Sequence, residues 1–260
     1  MATLSIALPK LEPAAALRLV GRAIWIGLPM LPILMLHLLW QALKIPSPWP
    51  RLFLRLTARA LGARVKVVGN PLRKHVFFVA NHLSWLDIPI LGGITGTAFV
   101  AQDGVRSWPV IGWLGTLNRT IYISRTEKQN VAAQVAELRE AIAENWSVTL
   151  FPEGTTSDGR GLLPFKPSLF ATMVPPPRDL LIQPIWLDFG SAGPDIAWLG
   201  EETGWQSAVR AFARKGSFEV RVNFLKPFDP SDYADRKEIT AEARARMISA
   251  MTTQPRLSVS

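Results

Sequence analysis

From residue 63 onward the chain alternates short apolar runs with longer amphipathic stretches. Val65, Val67 and Val68 make the first run, closed by the turn Gly69-Asn70-Pro71. Val76–Ala80 is the second, continuously apolar like a strand covered on both faces. Thr97–Ala101, Thr120–Ser124, Ser147–Phe151, Leu180–Leu187 and Phe218–Phe224 repeat the pattern. Asn130–Trp146 carries Val131, Val135, Leu138, Ile142 and Trp146 at steps of 4, 3, 4 and 4 residues, which predicts a helix with its stripe on a core. A further segment runs from Ser84 to Ile94, weakened at Gly92-Gly93. Strand and helix in alternation predict an α/β fold, a mostly parallel central sheet flanked by helices.

The first 62 residues read differently. Ala23–Trp40 is a window of 18 residues without Lys, Arg, Asp or Glu, ~27 Å long as a helix and at the short limit for a bilayer core. Pro29 and Pro32 predict a bend, so a re-entrant or interfacial hairpin fits at least as well as a span. Basic residues on both flanks give no orientation. A cleaved signal peptide does not fit, because Glu12 lies in the leader and no small-x-small site follows. Arg51, Arg55 and Arg59 then recur every fourth residue on an apolar helix, a pattern suited to anionic lipid or to a solvated charged face. The predicted organisation is a membrane-associating helical segment over 1–62, an α/β domain over 63–252 and a loose tail over 253–260.

Composition narrows the chemistry. The 260 residues contain no cysteine and three histidines, which removes a thiol nucleophile, a disulfide and a Cys- or His-rich metal site. The expectation is no metal and no bound cofactor. Net charge is +9 with a pI near 10.3, so the surface seeks polyanions. Ten tryptophans and a positive mean hydropathy of +0.17 favour a membrane surface over nucleic acid, and no helix-turn-helix, finger or RNP pattern occurs.

Candidate chemistry begins at Asn81-His82-Leu83-Ser84-Trp85-Leu86-Asp87, directly after the second apolar run. Residues five apart in a helix point ~140° from each other. His82 and Asp87 therefore meet only if the histidine lies in the turn before a helix and the aspartate in its first turn. Ser84-x-x-Asp87 is a helix-start signature that permits this. An imidazole held by a carboxylate is a general base; the alternative is a capping box beside a surface histidine. Phe151-Pro152-Glu153-Gly154-Thr155-Thr156-Ser157 follows a strand, where open α/β sheets place ligands, and can cradle an anion or serve only as a turn. Arg125 ends another strand, where a guanidinium binds phosphate or a surface carboxylate. Lys166 and Arg160 either add positive potential or are ordinary exposed charges.

These segments resemble the glycerolipid acyltransferases, in particular bacterial 1-acylglycerol-3-phosphate acyltransferases, over roughly residues 65–227. Asn81-His82-x4-Asp87, Ile121-x-Ile123-x-Arg125, Phe151-Pro152-Glu153-Gly154-Thr155 and Ile182-Gln183-Pro184-Ile185 follow the family's order of motifs. Tyr122 and Trp186 depart from it. The resemblance implies acyl transfer from acyl-CoA or acyl-carrier protein, as co-substrate, to the free hydroxyl of a lysophospholipid acceptor. That acceptor is in the first place 1-acylglycerol-3-phosphate, giving phosphatidate; the alternative is a phosphate-free lysolipid such as lyso-ornithine lipid. It implies His82 as base, Asp87 as its orienting carboxylate, and Arg125, Glu153, Gly154 and Thr155 around the glycerol phosphate. Glu153, a like charge beside phosphate, is expected to orient Arg125 or a glycerol hydroxyl. Membrane lipids are the implied partners, at the cytoplasmic face of a bacterial inner membrane. A lipid hydrolase is the enzymatic alternative, but G-x-S-x-G is absent.

Overall fold

The computed structural model describes residues 11–106, 111–123, 136, 139, 140, 147–200 and 202–253. Seven strands form one sheet: β1 Ala63–Val68, β2 Val76–Ala80, β3 Ala98–Gln102, β4 Ile121–Ile123, β5 Val148–Leu150, β6 Leu181–Asp188 and β7 Phe218–Phe224. Their order is β1-β7-β6-β2-β5-β3-β4. Every pairing is parallel except β6 with β7.

β2 lies in the middle, with Phe77 opposite both Val148 and Ile182. All five of its residues are buried, because helices cover both faces of the sheet. Side chains alternate across the strand with a period of two. Val76, Phe78 and Ala80 enter a core shared with Ala58, Leu61, Leu86, Ile90 and Leu91. Phe77 and Val79 enter the other, with Phe170, Ile239, Ala243 and Met247. Complete burial of a side chain such as Phe77 or Phe78 contributes about 1.5–3 kcal/mol.

The helices that matter for the site are α1 Pro13–Ala42, α2 Trp49–Ala60, α3 Asp87–Thr95, α4 Ile111–Leu117, α5 Gly204–Ala213 and α6 Arg236–Thr253. α3 continues through Gly92 and Gly93 and closes on Gly96 in the left-handed conformation. The expected weakening at the glycine pair does not occur, for a packing reason. A Cβ at Gly93 would lie 2.8 Å from Arg55 Cα, and one at Gly92 2.5 Å from Leu54 Cδ1. The two glycines let α2 lie directly on α3. Arg51 and Arg55 reach over this contact, and their Nε atoms donate to the Gly93 carbonyl at 3.5 and 3.2 Å. Two arginines of the basic stripe therefore satisfy the negative end of a neighbouring helix. The boundary expected at residue 62 falls inside this packed unit, since α2 supplies Ala58, and the turn after it Leu61, to the core.

α1 is one continuous helix of 30 residues with Pro29 and Pro32 inside it, not a hairpin. It is long and apolar enough to cross a bilayer. Near its start, Arg18 Nε donates to the Ala213 carbonyl at 2.9 Å, and Arg22 donates to the carbonyls of Ala211, Phe212 and Gly216 at 3.0–3.1 Å. Near its end, buried His37 shares a 2.7 Å hydrogen bond between Nδ1 and Ser47 Oγ. Leu17, Val20, Ile24, Leu28, Leu31, Met35 and Leu38 stand exposed on its outer side at steps of 3 or 4 residues.

Of Asn130–Trp146, residues 136, 139 and 140 are described and are helical; the five stripe residues lie outside the described residues. Of the expected tail, Thr253 is still helical and 254–260 lie outside the described residues.

Candidate active site

The site forms at the carboxyl ends of β2 and β5, which are adjacent and parallel. Open α/β sheets present loops, and hence ligands, at that edge. Asn81 follows β2 and is buried. Its side chain extends the pairing toward β6, accepting from Leu187 N at 2.7 Å and donating to Leu187 O at 3.0 Å. The chain then turns away, and His82 stands in this turn.

α3 begins at Asp87, so the aspartate occupies the first helical turn and the histidine precedes it, as the five-residue spacing requires. Asp87 Oδ2 accepts from His82 Nδ1 at 2.7 Å, from Leu83 N at 2.7 Å and from Ser84 N at 3.0 Å. The Ser84 contact is one half of a capping box; Ser84 Oγ accepts from Leu86 N at 3.0 Å instead of the Asp87 amide. General-base geometry and helix start are thus one arrangement. Asp87 is fully buried, and its Oδ1 has no hydrogen-bond partner among the described residues. The carboxylate has no freedom to leave the imidazole. The His82 ring lies on Phe151, with centroids 4.1 Å apart and planes 18° apart, and keeps 20% of its side-chain surface exposed. With Nδ1 donating to the aspartate, Nε2 is the nitrogen available to take a proton.

The Phe151–Ser157 loop wraps the same turn. Glu153 is 2% exposed. Its Oε1 accepts from His82 N at 2.9 Å and its Oε2 from Leu163 N at 2.9 Å. Burial pushes its carboxyl up to about 7, against the opposing pull of those two amides. Ser157 donates to the His82 carbonyl from both N (2.7 Å) and Oγ (3.1 Å). Gly154 has φ +69°, and a Cβ there would sit 2.7 Å from Lys166 Nζ. The positive φ requires glycine, whereas the flexible tip of Lys166 could move aside; Lys166 reaches the loop. Thr155 is exposed, whereas Thr156 donates to the Trp198 carbonyl. Arg160 is exposed and pairs loosely with Asp158 at 3.8 Å.

Arg125 lies outside the described residues. β4, which leads to it, ends on the same edge of the sheet, three strands from β2 or about 14 Å at ~4.8 Å per strand. His82, Asp87, Glu153 and Gly154 are brought together, with Thr155 on the rim. Each Glu153 oxygen accepts a main-chain amide; the expectation that Glu153 orients Arg125 or a glycerol hydroxyl involves a partner outside the described residues. Asn81 and Ser157 stand inside two of the motifs, Ser157 in the turn that can cradle an anion, but both instead hold the main chain. Their partners, Leu187 and His82, are fixed by the fold.

The acyltransferase family model matches residues 64–188. A lyso-ornithine lipid O-acyltransferase of Rhizobium meliloti (strain 1021) is 36% identical, over 84% of this chain and 79% of its own length. The chain belongs to the glycerolipid acyltransferase family. A 1-acyl-sn-glycerol-3-phosphate acyltransferase of Neisseria meningitidis serogroup B is also 36% identical, over 65% of this chain and 68% of its own length. The crystal structure of the 1-acyl-sn-glycerophosphate acyltransferase of Thermotoga maritima superposes with a TM-score of 0.71 at 19% identity, covering 94% of this chain and 97% of the other, and shares the fold. The family carries the activity class: an acyltransferase acting on lysolipid-type acceptors. The first expectation, a mostly parallel sheet with flanking helices and an apolar amino-terminal helix, is met by the fold.

Proposed function

We propose that this acyltransferase moves a fatty acyl group from acyl-CoA or acyl-carrier protein to the free hydroxyl of a lysolipid, with His82 as general base. The observation that carries the reading is the 2.7 Å contact of His82 Nδ1 with a fully buried Asp87, in a ring that keeps 20% of its side-chain surface exposed and has Nε2 left to take a proton. His82 Nε2 takes the hydroxyl proton as the oxygen attacks the thioester carbonyl carbon. The tetrahedral adduct collapses with loss of the C–S bond, and the imidazolium returns its proton to the departing thiolate. Ester and thiol are the products, and no acyl-enzyme is required. Asp87 holds the tautomer and offsets the imidazolium charge. Gly154, Thr155 and Arg125 position the acceptor's headgroup.

Two acceptors have support. 1-Acylglycerol-3-phosphate, giving phosphatidate, suits a cationic surface and is the substrate in the Neisseria relative's name. Lyso-ornithine lipid is the substrate in the Rhizobium relative's name, and that match covers more of both chains. The longer match favours the second. Membrane lipid is the surface on which either reaction occurs. α1 is tied to the α/β domain near its start and to its own connection to α2 near its end, so it meets lipid along its outer face and lies in the cytoplasmic leaflet of the inner membrane.

The test is an acyl-transfer assay with each lysolipid, with acyl-CoA and acyl-carrier protein as alternative donors. Wild type should consume thioester only when an acceptor is present. His82→Ala should lower turnover roughly 10²–10⁴-fold, the range for a general base. Asp87→Asn should fold and lose a similar factor, because an amide can keep the three Oδ2 contacts but not the charge. Free fatty acid released without acceptor would instead make the protein a hydrolase. Wild-type turnover by His82→Ala would remove the base.

A further inference from the structure

We propose that Glu153 and Ser157 are positioning residues that aim the base by gripping the main chain of His82, and that neither touches the acceptor. The proposal rests on His82 being the base.

His82 lies between the end of β2 at Ala80 and the start of α3 at Asp87, so neither a strand ladder nor a helix fixes its peptide groups. Both are fixed by the Phe151–Leu163 loop. The N–H goes to Glu153 Oε1 at 2.9 Å; the carbonyl accepts from Ser157 N at 2.7 Å and Ser157 Oγ at 3.1 Å. The second Glu153 oxygen closes the loop on itself through Leu163 N at 2.9 Å. The loop also presses on the next residue: a Cβ at Gly159 would lie 2.6 Å from Leu83 Cδ2. Next to it the Leu83 carbonyl accepts from Trp198 N at 2.9 Å. A histidine held at its ring by Asp87 and Phe151, and at both peptide groups by one loop, has its Nε2 direction set.

Burial separates this role from substrate contact. Glu153 is 2% and Ser157 3% exposed, and each spends its polar atoms on the main chain. Thr155, between them in sequence, is exposed and so is free for an incoming headgroup. Glutamine cannot replace Glu153 without loss. It offers one oxygen, and its NH2 group would meet an N–H donor. A misplacement of the base by about 1 Å costs on the order of 10²-fold in rate.

The experiment compares wild type, Glu153→Gln, Ser157→Ala and His82→Ala in steady-state acyl transfer on mixed micelles. Hydrogen–deuterium exchange is followed on the peptide that covers His82. For Glu153→Gln we expect kcat down roughly 10²-fold with KM for the lysolipid within about twofold, and faster exchange at His82. Ser157→Ala loses one of two donors, so kcat should fall about 2- to 10-fold, again without a KM change. A raised KM with kcat retained, or unaltered exchange at His82, overturns the proposal and returns these residues to the headgroup. If Glu153→Gln does not fold, Ser157→Ala decides by the same two readings. His82→Ala separates the failures. If it is inactive while both loop variants keep wild-type kcat, the positioning role alone is lost. If it keeps wild-type turnover, the base assignment goes with it.

Discussion

At the residue scale, Glu153 sets a pH dependence of stability with a definite sign. Its carboxyl is raised from 4.5 to about 7 by burial, so the folded state binds its proton more tightly than the unfolded chain does. The contribution is fully present below about 4.5 and is lost as pH rises through about 7. Its size is on the order of 3 kcal/mol. The titratable groups that act on it are His82 and Asp87, and Lys166 lies beside the next residue, all retained when only Glu153 is changed. Wild type should therefore lose stability relative to Glu153→Gln between about pH 5 and about pH 8. Urea midpoints along that range measure it, and parallel curves would show that the buried carboxylate does not titrate there. The partners behind this effect were hidden in the sequence. His82 and Asp87 were legible as a pair because five residues and a helix start bring them together locally. Glu153 meets its amides across 71 and 10 residues, and only the pairing of β2 with β5 makes the first of those contacts.

At the element scale, the strands were legible because each is apolar beyond what its neighbours carry. β2 begins and ends where its apolar run does, and β7 where apolar residues alternate with Glu219, Arg221 and Asn223. The Gly92-Gly93 pair misled because glycine lowers helix propensity, while its packing role depends on α2, which arrives from elsewhere in the chain. α6 gave little warning. It buries Ile239, Ala243, Met247 and Ala250 at helical steps, but small alanines among charged residues leave a faint apolar stripe. α1 misled in the other direction, since two prolines do not break it. Its outer face carries the element's own prediction. Leu28 and Met35 are 77% and 64% exposed, so charging them leaves packing intact. Leu28→Glu with Met35→Glu should weaken binding to vesicles at least about tenfold, since each buried apolar side chain is worth about 1.5–3 kcal/mol. Turnover on detergent-dispersed substrate should persist. Vesicle binding equal to wild type would move the lipid contact off this face.

For the whole molecule, the two halves of the chain cannot be treated as anchor and enzyme. α1 is held through Arg18 and Arg22 to the end of α5, whose Phe212 stacks at 6.3 Å on Trp85 within the turn that carries His82. α2 shares the core beneath α3. The apolar helix is therefore packed onto the unit that carries His82, which suits the proposed reaction between a membrane-embedded alcohol and a water-borne thioester. A net charge of +9 adds a second attraction, to anionic headgroups and to acidic acyl carriers alike. The two attractions differ in range and so can be separated. Raising salt from about 0.1 M to about 1 M shortens the Debye length from about 10 Å to about 3 Å, while burial of apolar surface is not screened. Binding to phosphatidylglycerol-rich vesicles should therefore fall over that range to the level seen with neutral vesicles and then stop falling. A salt-independent preference for anionic vesicles would mean that a specific headgroup pocket selects the lipid. Complete release from both would mean that charge alone holds the protein and the outer face of α1 does not enter the bilayer.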